Sequence, residues 1–205
     1  MYIGKDMTDR SYRGNGMLLF VFGGSGSGKS EYAEQRILEA GEMPRYYVAT
    51  MEPFGEEGKK RIERHRKLRA GKGFVTVECA THLEQLHLLE KGAVLLEDLS
   101  NLLANEIWAE YGRGWSQDLA EEICRTIKDL SGEQRLVVVV GNDIHRDGEP
   151  QTTEMEQYAS LLAECQTRLA AMADEVVEVV CGIAMAQGKV FKNEMAVWNA
   201  PCWKR

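Results

Sequence analysis

The chain has 205 residues, and its 25 Lys and Arg against 32 Asp and Glu give a formal charge of −7. That length fits one domain of ordinary size, and an acidic balance with no long basic run argues against nucleic acid as a partner. The five cysteines, Cys79, Cys124, Cys165, Cys181 and Cys202, are scattered, with no CxxC pair and no secretory signal. Neither a zinc site nor a disulfide framework is indicated, and a reducing cytoplasm is the expected setting.

Residues 1–16 lack apolar periodicity and read as a loose leader, so a single catalytic domain with a C-terminal tail is expected over 17–205. Apolar runs then alternate with helical patterns: MLLFVF before a helix over 30–40, YYVAT before 56–70, FVTVE before 82–90, and AVLLE before 99–111 and 117–130. RLVVVVGND, a long helix over 152–173, EVVEVVCG and a short strand near GKVFK complete the order. MLLFVF and LVVVV are far too short to span a bilayer and have the length of buried strands. The alternation predicts an α/β fold, a mainly parallel sheet flanked by helices. The tail WNAPCWKR holds two of the four tryptophans, which suggests docking against this chain or a neighbouring subunit.

Gly23, Gly24, Ser25, Gly26, Ser27, Gly28, Lys29 and Ser30 form G-x-x-x-x-G-K-S between an apolar strand and a helical pattern, the context this phosphate-binding motif requires. The glycines let backbone N–H groups point inward, Lys29 places a charge on the β and γ phosphates, and Ser30 ligates magnesium at the positive end of the helix. A nucleoside triphosphate with Mg2+ is the expected ligand. A metal-bearing loop of this kind also needs a carboxylate at a neighbouring strand end, which Glu97 and Asp98 offer directly after AVLL. Two roles stand open for that pair: metal ligand, or cap of the following helix by Asp98 or Ser100.

The segment EEGKKRIERHRKLRAGKG sets Arg61, His65 and Arg69 four residues apart on one helical face. The like charges disfavour imidazolium, leaving His65 neutral and able to attack phosphorus, although a Lys- and Arg-rich helix is also what a solvated face looks like. Glycines at 55, 58, 71 and 73 flank this helix and suggest that it swings. His82 and His87 read as helix-surface residues, and His145 as an exposed loop residue.

The ordered set of GG and SGKS in the loop, YYVAT, RIERHRKLR, VEC, LLE and RLAAMADEVVEVVCGI resembles the bifunctional adenosylcobinamide kinase and adenosylcobinamide-phosphate guanylyltransferase family over roughly residues 17–188. The resemblance implies a P-loop NTPase-type sheet with one late antiparallel strand, which GKVFK would supply, and a trimeric assembly. It implies that His65, with Lys29, is catalytic, His65 being guanylylated before GMP passes to cobinamide phosphate. It also implies nucleotide contacts from residues 23–30, from Ala49, Thr50 and Met51, from Arg66, Lys67, Leu68 and Arg69, and from Glu78 and Glu97. Two features depart from the family: Ser25-Gly26 stands where an arginine is usual, and GNDIHRDGEP replaces an NEVG segment while keeping the polar pair Asn142 and Asp143. The second marks the loop where the acceptor would be chosen. The alternatives are a P-loop kinase or nucleotidyltransferase for another small acceptor, and a GTP-binding protein without turnover, which would have no use for a phosphorus nucleophile.

Overall fold

The structure is a computed structural model that describes residues 16–51, 63, 71–143 and 152–187. Among the described residues, seven strands form one sheet: β1 (Met17–Gly23), β2 (Arg45–Ala49), β3 (Phe74–Glu78), β4 (Ala93–Leu96), β5 (Leu136–Asn142), β6 (Glu175–Val180) and β7 (Ile183–Gln187). The helices that pack on it are α1 (Lys29–Glu39), α2 (Leu99–Trp108), α3 (Leu119–Glu133) and α4 (Thr153–Met172). The strand order is β3-β2-β4-β5-β1-β6-β7. All neighbours are parallel except β6 and β7, which pair antiparallel.

The sheet is buried on both faces at its centre, which is why β1, β4 and β5 are nearly continuous apolar runs rather than alternating ones. The two-residue period divides them between two cores. Leu18, Phe20, Val94, Leu96, Val137 and Val139 face α2, α3 and α4, packing on Leu102, Leu103, Ile123, Ile127, Leu162 and Leu169. Leu19, Val21, Leu95, Val138 and Val140 face α1, packing on Ala33 and Ile37. Of these helices, one covers one face and three cover the other.

Where β6 joins β1, the junction is locked by polar contacts. The Leu18 N–H donates to Asp174 Oδ2 at 2.9 Å and the Asp174 N–H donates back to the Leu18 carbonyl at 2.8 Å. From α1, Arg36 makes a two-pronged contact with Glu175 at 2.8 and 2.9 Å and lies over the Tyr32 ring.

Two expected elements differ. Residues 82–90 do not form a helix: only a 3-10 turn, Leu83–Gln85, is present. His82 adopts a left-handed conformation before it, and although Leu83 is buried with Leu86 and Leu88 packed against the same core, Leu89 is almost wholly exposed, so these residues anchor a loop rather than one continuous helical face. His82 and His87 are consequently loop rather than helix-surface residues. The late antiparallel strand is Ile183–Gln187, earlier than GKVFK, because the turn at Cys181 and Gly182, both with positive φ, reverses the chain directly after β6. GKVFK, the leader, the tail, and nearly all of 56–70 lie outside the described residues, although Glu63 is helical. Among the described residues, no helix is long and apolar enough to cross a membrane.

The Arg36–Glu175 contact is mostly buried, with side-chain exposures of 13% and 21%. Glu175→Ala leaves a poorly hydrated guanidinium and should cost about 2 kcal/mol in urea unfolding. Arg36→Met combined with Glu175→Leu should recover most of that loss.

Candidate active site

The carboxyl ends of β1, β4 and β5 converge on the glycine-rich turn. Gly23 ends β1 in register with Asn142 of β5, and the Asp143 N–H donates to the Gly23 carbonyl at 3.0 Å. A Cβ on Gly23 would lie 2.4 Å from the Val179 carbonyl oxygen, so glycine is needed for β1 and β6 to approach this closely. Gly28 takes φ 92° at the N-cap of α1, where no side chain caps the helix. The positive end of α1 is thus left to the turn, which makes the turn an anion cradle. The Ser27 hydroxyl is buried without a hydrogen-bond partner. Lys29 is only 8% exposed and its Nζ donates to the Gly24 carbonyl at 3.1 Å, folding the cation over its own loop. The β6–β7 turn braces the cradle, because the Gly182 N–H donates to the Ser27 carbonyl at 2.8 Å.

Asp98 follows β4 and organises its surroundings. Its Oδ1 accepts from the N–H groups of Ser100 and Asn101 at 2.8 and 3.2 Å, capping α2, while Oδ2 accepts from Asn142 Nδ2 at 2.7 Å. Of the two roles open to Asp98, capping is the one its geometry displays. Ser100 lies in the first turn, and its hydroxyl has no partner. Glu97 is partly exposed beside Asp98, with its N–H on the Val48 carbonyl.

The end of β2 joins the same frame. Thr50, fully buried, donates its hydroxyl to the Asp98 carbonyl at 3.1 Å. Asn105 of α2 donates to the carbonyls of both Thr50 (2.7 Å) and Ala80 (3.1 Å), tying together the loops after β2 and β3. Ala49, Thr50, Met51 and Glu78 therefore lie at adjacent strand ends, Glu78 exposed on the edge strand β3. His65 and the basic residues Arg61 and Arg66 to Arg69 lie outside the described residues, as does His145.

Asn105 belongs to no motif, nothing in the segment that holds Gly182 signals its bond to the phosphate loop, and the hydrogen bond from Asn142 to Asp98 has no local signal in either segment. The same holds for a cluster of His82, Glu84 and Glu106, whose ligand-type atoms lie within 4.8 Å of one another. Arg113 already supplies the cation there, pairing with Glu84, Glu106 and Glu122. His82 is raised above its ordinary pKa by its bond to the Tyr111 carbonyl and then by Glu84. Burial pushes the Cys79 thiol up to about 11, leaving it protonated and unsuited to nucleophilic work.

The family model for cobinamide kinase / cobinamide phosphate guanyltransferase matches residues 19–187. The chain belongs to this family. It is 32% identical over 184 residues to the bifunctional adenosylcobalamin biosynthesis protein CobU of Salmonella typhimurium, covering 82% of this chain and 98% of that protein. Identity to the protein of the same name from Escherichia coli is 29% over 182 residues, with the same coverages. Among solved structures, the flagellar accessory protein FlaH of Methanocaldococcus jannaschii aligns with 89% of this chain and 82% of its own, at 16% identity and a TM-score of 0.48. The RadB recombinase aligns with 80% of this chain and 74% of its own, at 16% identity and a TM-score of 0.43. Membership makes the chain a transferase of cobalamin biosynthesis, a kinase and nucleotidyltransferase by family.

Asp98→Ala removes a cap and strands the Asn142 amide, so unfolding should become easier by about 2–3 kcal/mol. Asp98→Ser keeps a capping oxygen but not the Asn142 bond, and should restore about 1 kcal/mol of this. Equal losses in urea titrations of the two variants would show that the cap contributes nothing.

Proposed function

We propose that the protein phosphorylates the side-arm hydroxyl of adenosylcobinamide with ATP or GTP and then transfers GMP from GTP to the resulting phosphate. Family membership over 19–187, together with a phosphate loop on a helix that no side chain caps, carries this reading. In the first step the acceptor hydroxyl oxygen attacks the γ-phosphorus, its proton passes to water, and the bond to the bridging β–γ oxygen breaks to release the nucleoside diphosphate. The backbone N–H groups of residues 23–30 and the Lys29 ammonium hold the charge that builds on the oxygens. For that, Lys29 exchanges its bond to the Gly24 carbonyl for phosphate.

In the second step a ring nitrogen of His65 attacks the α-phosphorus of GTP, forming a P–N bond as the bond to pyrophosphate breaks. An oxygen of the acceptor's phosphate then attacks the same phosphorus, and the P–N bond breaks to release the imidazole. Splitting one displacement in two lets each half use its own nucleophile. The resemblance assigns Arg66, Lys67, Leu68 and Arg69, with Ala49, Thr50, Met51, Glu78 and Glu97, to the nucleotide. The oxygen donors Ser30 and Glu97 fit magnesium, which prefers hard oxygen ligands and supplies charge neutralisation when bound. The Asp98 oxygens already accept three hydrogen bonds, so Asp98 acts through the frame. The assembly is proposed to be a trimer and the setting the cytoplasm.

A second reading, transfer to another small acceptor, is favoured by the departure of GNDIHRDGEP from the family segment. Incubation with magnesium and GTP labelled at the α-phosphate, wild type beside His65→Ala, tests the nucleotidyl half. An acid-labile, base-stable GMP adduct in the wild type alone is expected. No adduct and no pyrophosphate release would remove His65 from catalysis. An adduct discharged by other phosphorylated alcohols but not by adenosylcobinamide phosphate would establish the second reading.

A further inference from the structure

The rest of α2 is largely buried, yet its last residue, Trp108, is 51% exposed. Trp115, in the connection to α3, is 43% exposed, and Met155, in the first turn of α4, is 49% exposed. The two tryptophan rings meet at right angles, with centroids 5.7 Å apart and an interplanar angle of 87°. Trp108 also packs on Tyr158 at 5.2 Å, tilted by 43°. Tyr158 is held in turn, its hydroxyl donating to the Ser100 carbonyl at 2.9 Å. Met155 stands three residues before Tyr158 and so on the same side of α4. Three rings thus form a rigid, half-open apolar corner, a costly arrangement for a surface that contacts only water.

Its place in the fold points to a ligand. Tyr158 bonds to Ser100, Ser100 to the Asp98 carboxylate, and Asp98 to Asn142, which pairs with Gly23 at the start of the phosphate loop. Burial and then the charge of Asp98 push the Tyr158 phenol well above its ordinary pKa, as this proximity requires. The corner and the cradle therefore share the carboxyl end of the sheet. The ten-residue α2, about 15 Å long, runs from the Asp98 frame to Trp108.

We infer that Trp108, Trp115 and Tyr158 form the docking corner for the corrin macrocycle of the acceptor, while its hydroxyl- or phosphate-bearing arm reaches toward the phosphate loop. The inference rests on the acceptor proposed above. A macrocycle is too large to enter a loop shaped for phosphates, so the ring, with its methyl groups and amide arms, needs a ledge set back from the reacting atoms. Two perpendicular indoles offer a face and an edge at once, and aromatic surface gives contact at small entropic cost.

The test uses the full chain: wild type, Trp108→Ala and Trp115→Ala, in steady-state kinase assays with adenosylcobinamide and ATP, with sedimentation velocity on each. The KM for adenosylcobinamide should rise about tenfold, with kcat and the KM for ATP little changed. If an alanine variant fails to fold, Trp108→Phe and Trp115→Phe carry the same comparison, with a rise of roughly two- to threefold expected. An unchanged acceptor KM in folded variants overturns the inference. So does an equal rise in the KM for ATP, which would make the corner a nucleobase site. A fall in assembly size would make it an interface between copies of this chain and overturn it as well. Wild type that turns over no adenosylcobinamide overturns both the acceptor reading and the corner, whereas active wild type with unaffected variants overturns the corner alone.

Discussion

The Asp98 carboxylate is the contact on which the carboxyl end of the sheet depends. A buried carboxylate is costly unless it is hydrogen-bonded, and here three donors reach it: two N–H groups of α2 and the Asn142 amide. The same residue's carbonyl takes the Thr50 hydroxyl. One side chain and one carbonyl thus fix the ends of β2, β4 and β5 and the start of α2. Removing the carboxylate exposes a helix end and an orphan amide together, so the loss is shared by every loop that the frame supports. Because Gly23 lies in register with Asn142, the phosphate loop is referenced to that frame.

Rigidity on this side contrasts with the loop itself. The cradle is held from below by the Gly182 N–H on the Ser27 carbonyl and by the close approach of β6, yet its interior is internally satisfied only in part. Lys29 bonds to Gly24, and the Ser27 hydroxyl has no partner. Phosphoryl transfer asks mainly for positioned charge. A cation folded over its own loop is already largely desolvated at the turn, which is where a phosphate would meet it in the proposed reactions.

The strands and long helices are legible in the sequence because each carries a strong local signal: LVVVV is a continuous β-branched run of strand length, and α4 keeps its pattern through twenty residues. The phosphate loop is legible because motif and context coincide. What escapes is contact made across the chain. Nothing local in LANEI indicates that Asn105 bridges Thr50 and Ala80, residues 55 and 25 positions away. The 82–90 pattern fails for the opposite reason: its spacing suits a helix, but His82 commits its ring and backbone to Tyr111, Glu84 and Glu106 instead, and tertiary contacts outrank propensity in so short a segment. The choice between metal ligand and cap at Asp98 is open in the sequence because both roles favour an acid after a strand; only the positions of Ser100, Asn101 and Asn142 show which oxygens are taken.

The division between frame and corner has a kinetic meaning. Contacts with a remote part of a substrate, unchanged between ground state and transition state, lower KM without raising kcat. A macrocycle seated on Trp108 and Trp115 is such a remote part in both proposed reactions, since neither step alters the ring. In the same proposed reactions, groups around Gly23 to Ser30 would meet charge that shifts as bonds break, and their worth would lie in kcat. In the proposed arrangement α2, capped at Asp98 and ending at Trp108, would link the part of the acceptor that is gripped to the frame beside the part that reacts. Two successive transfers to the same arm can then use one grip, with only the attacked phosphorus and its nucleophile exchanged.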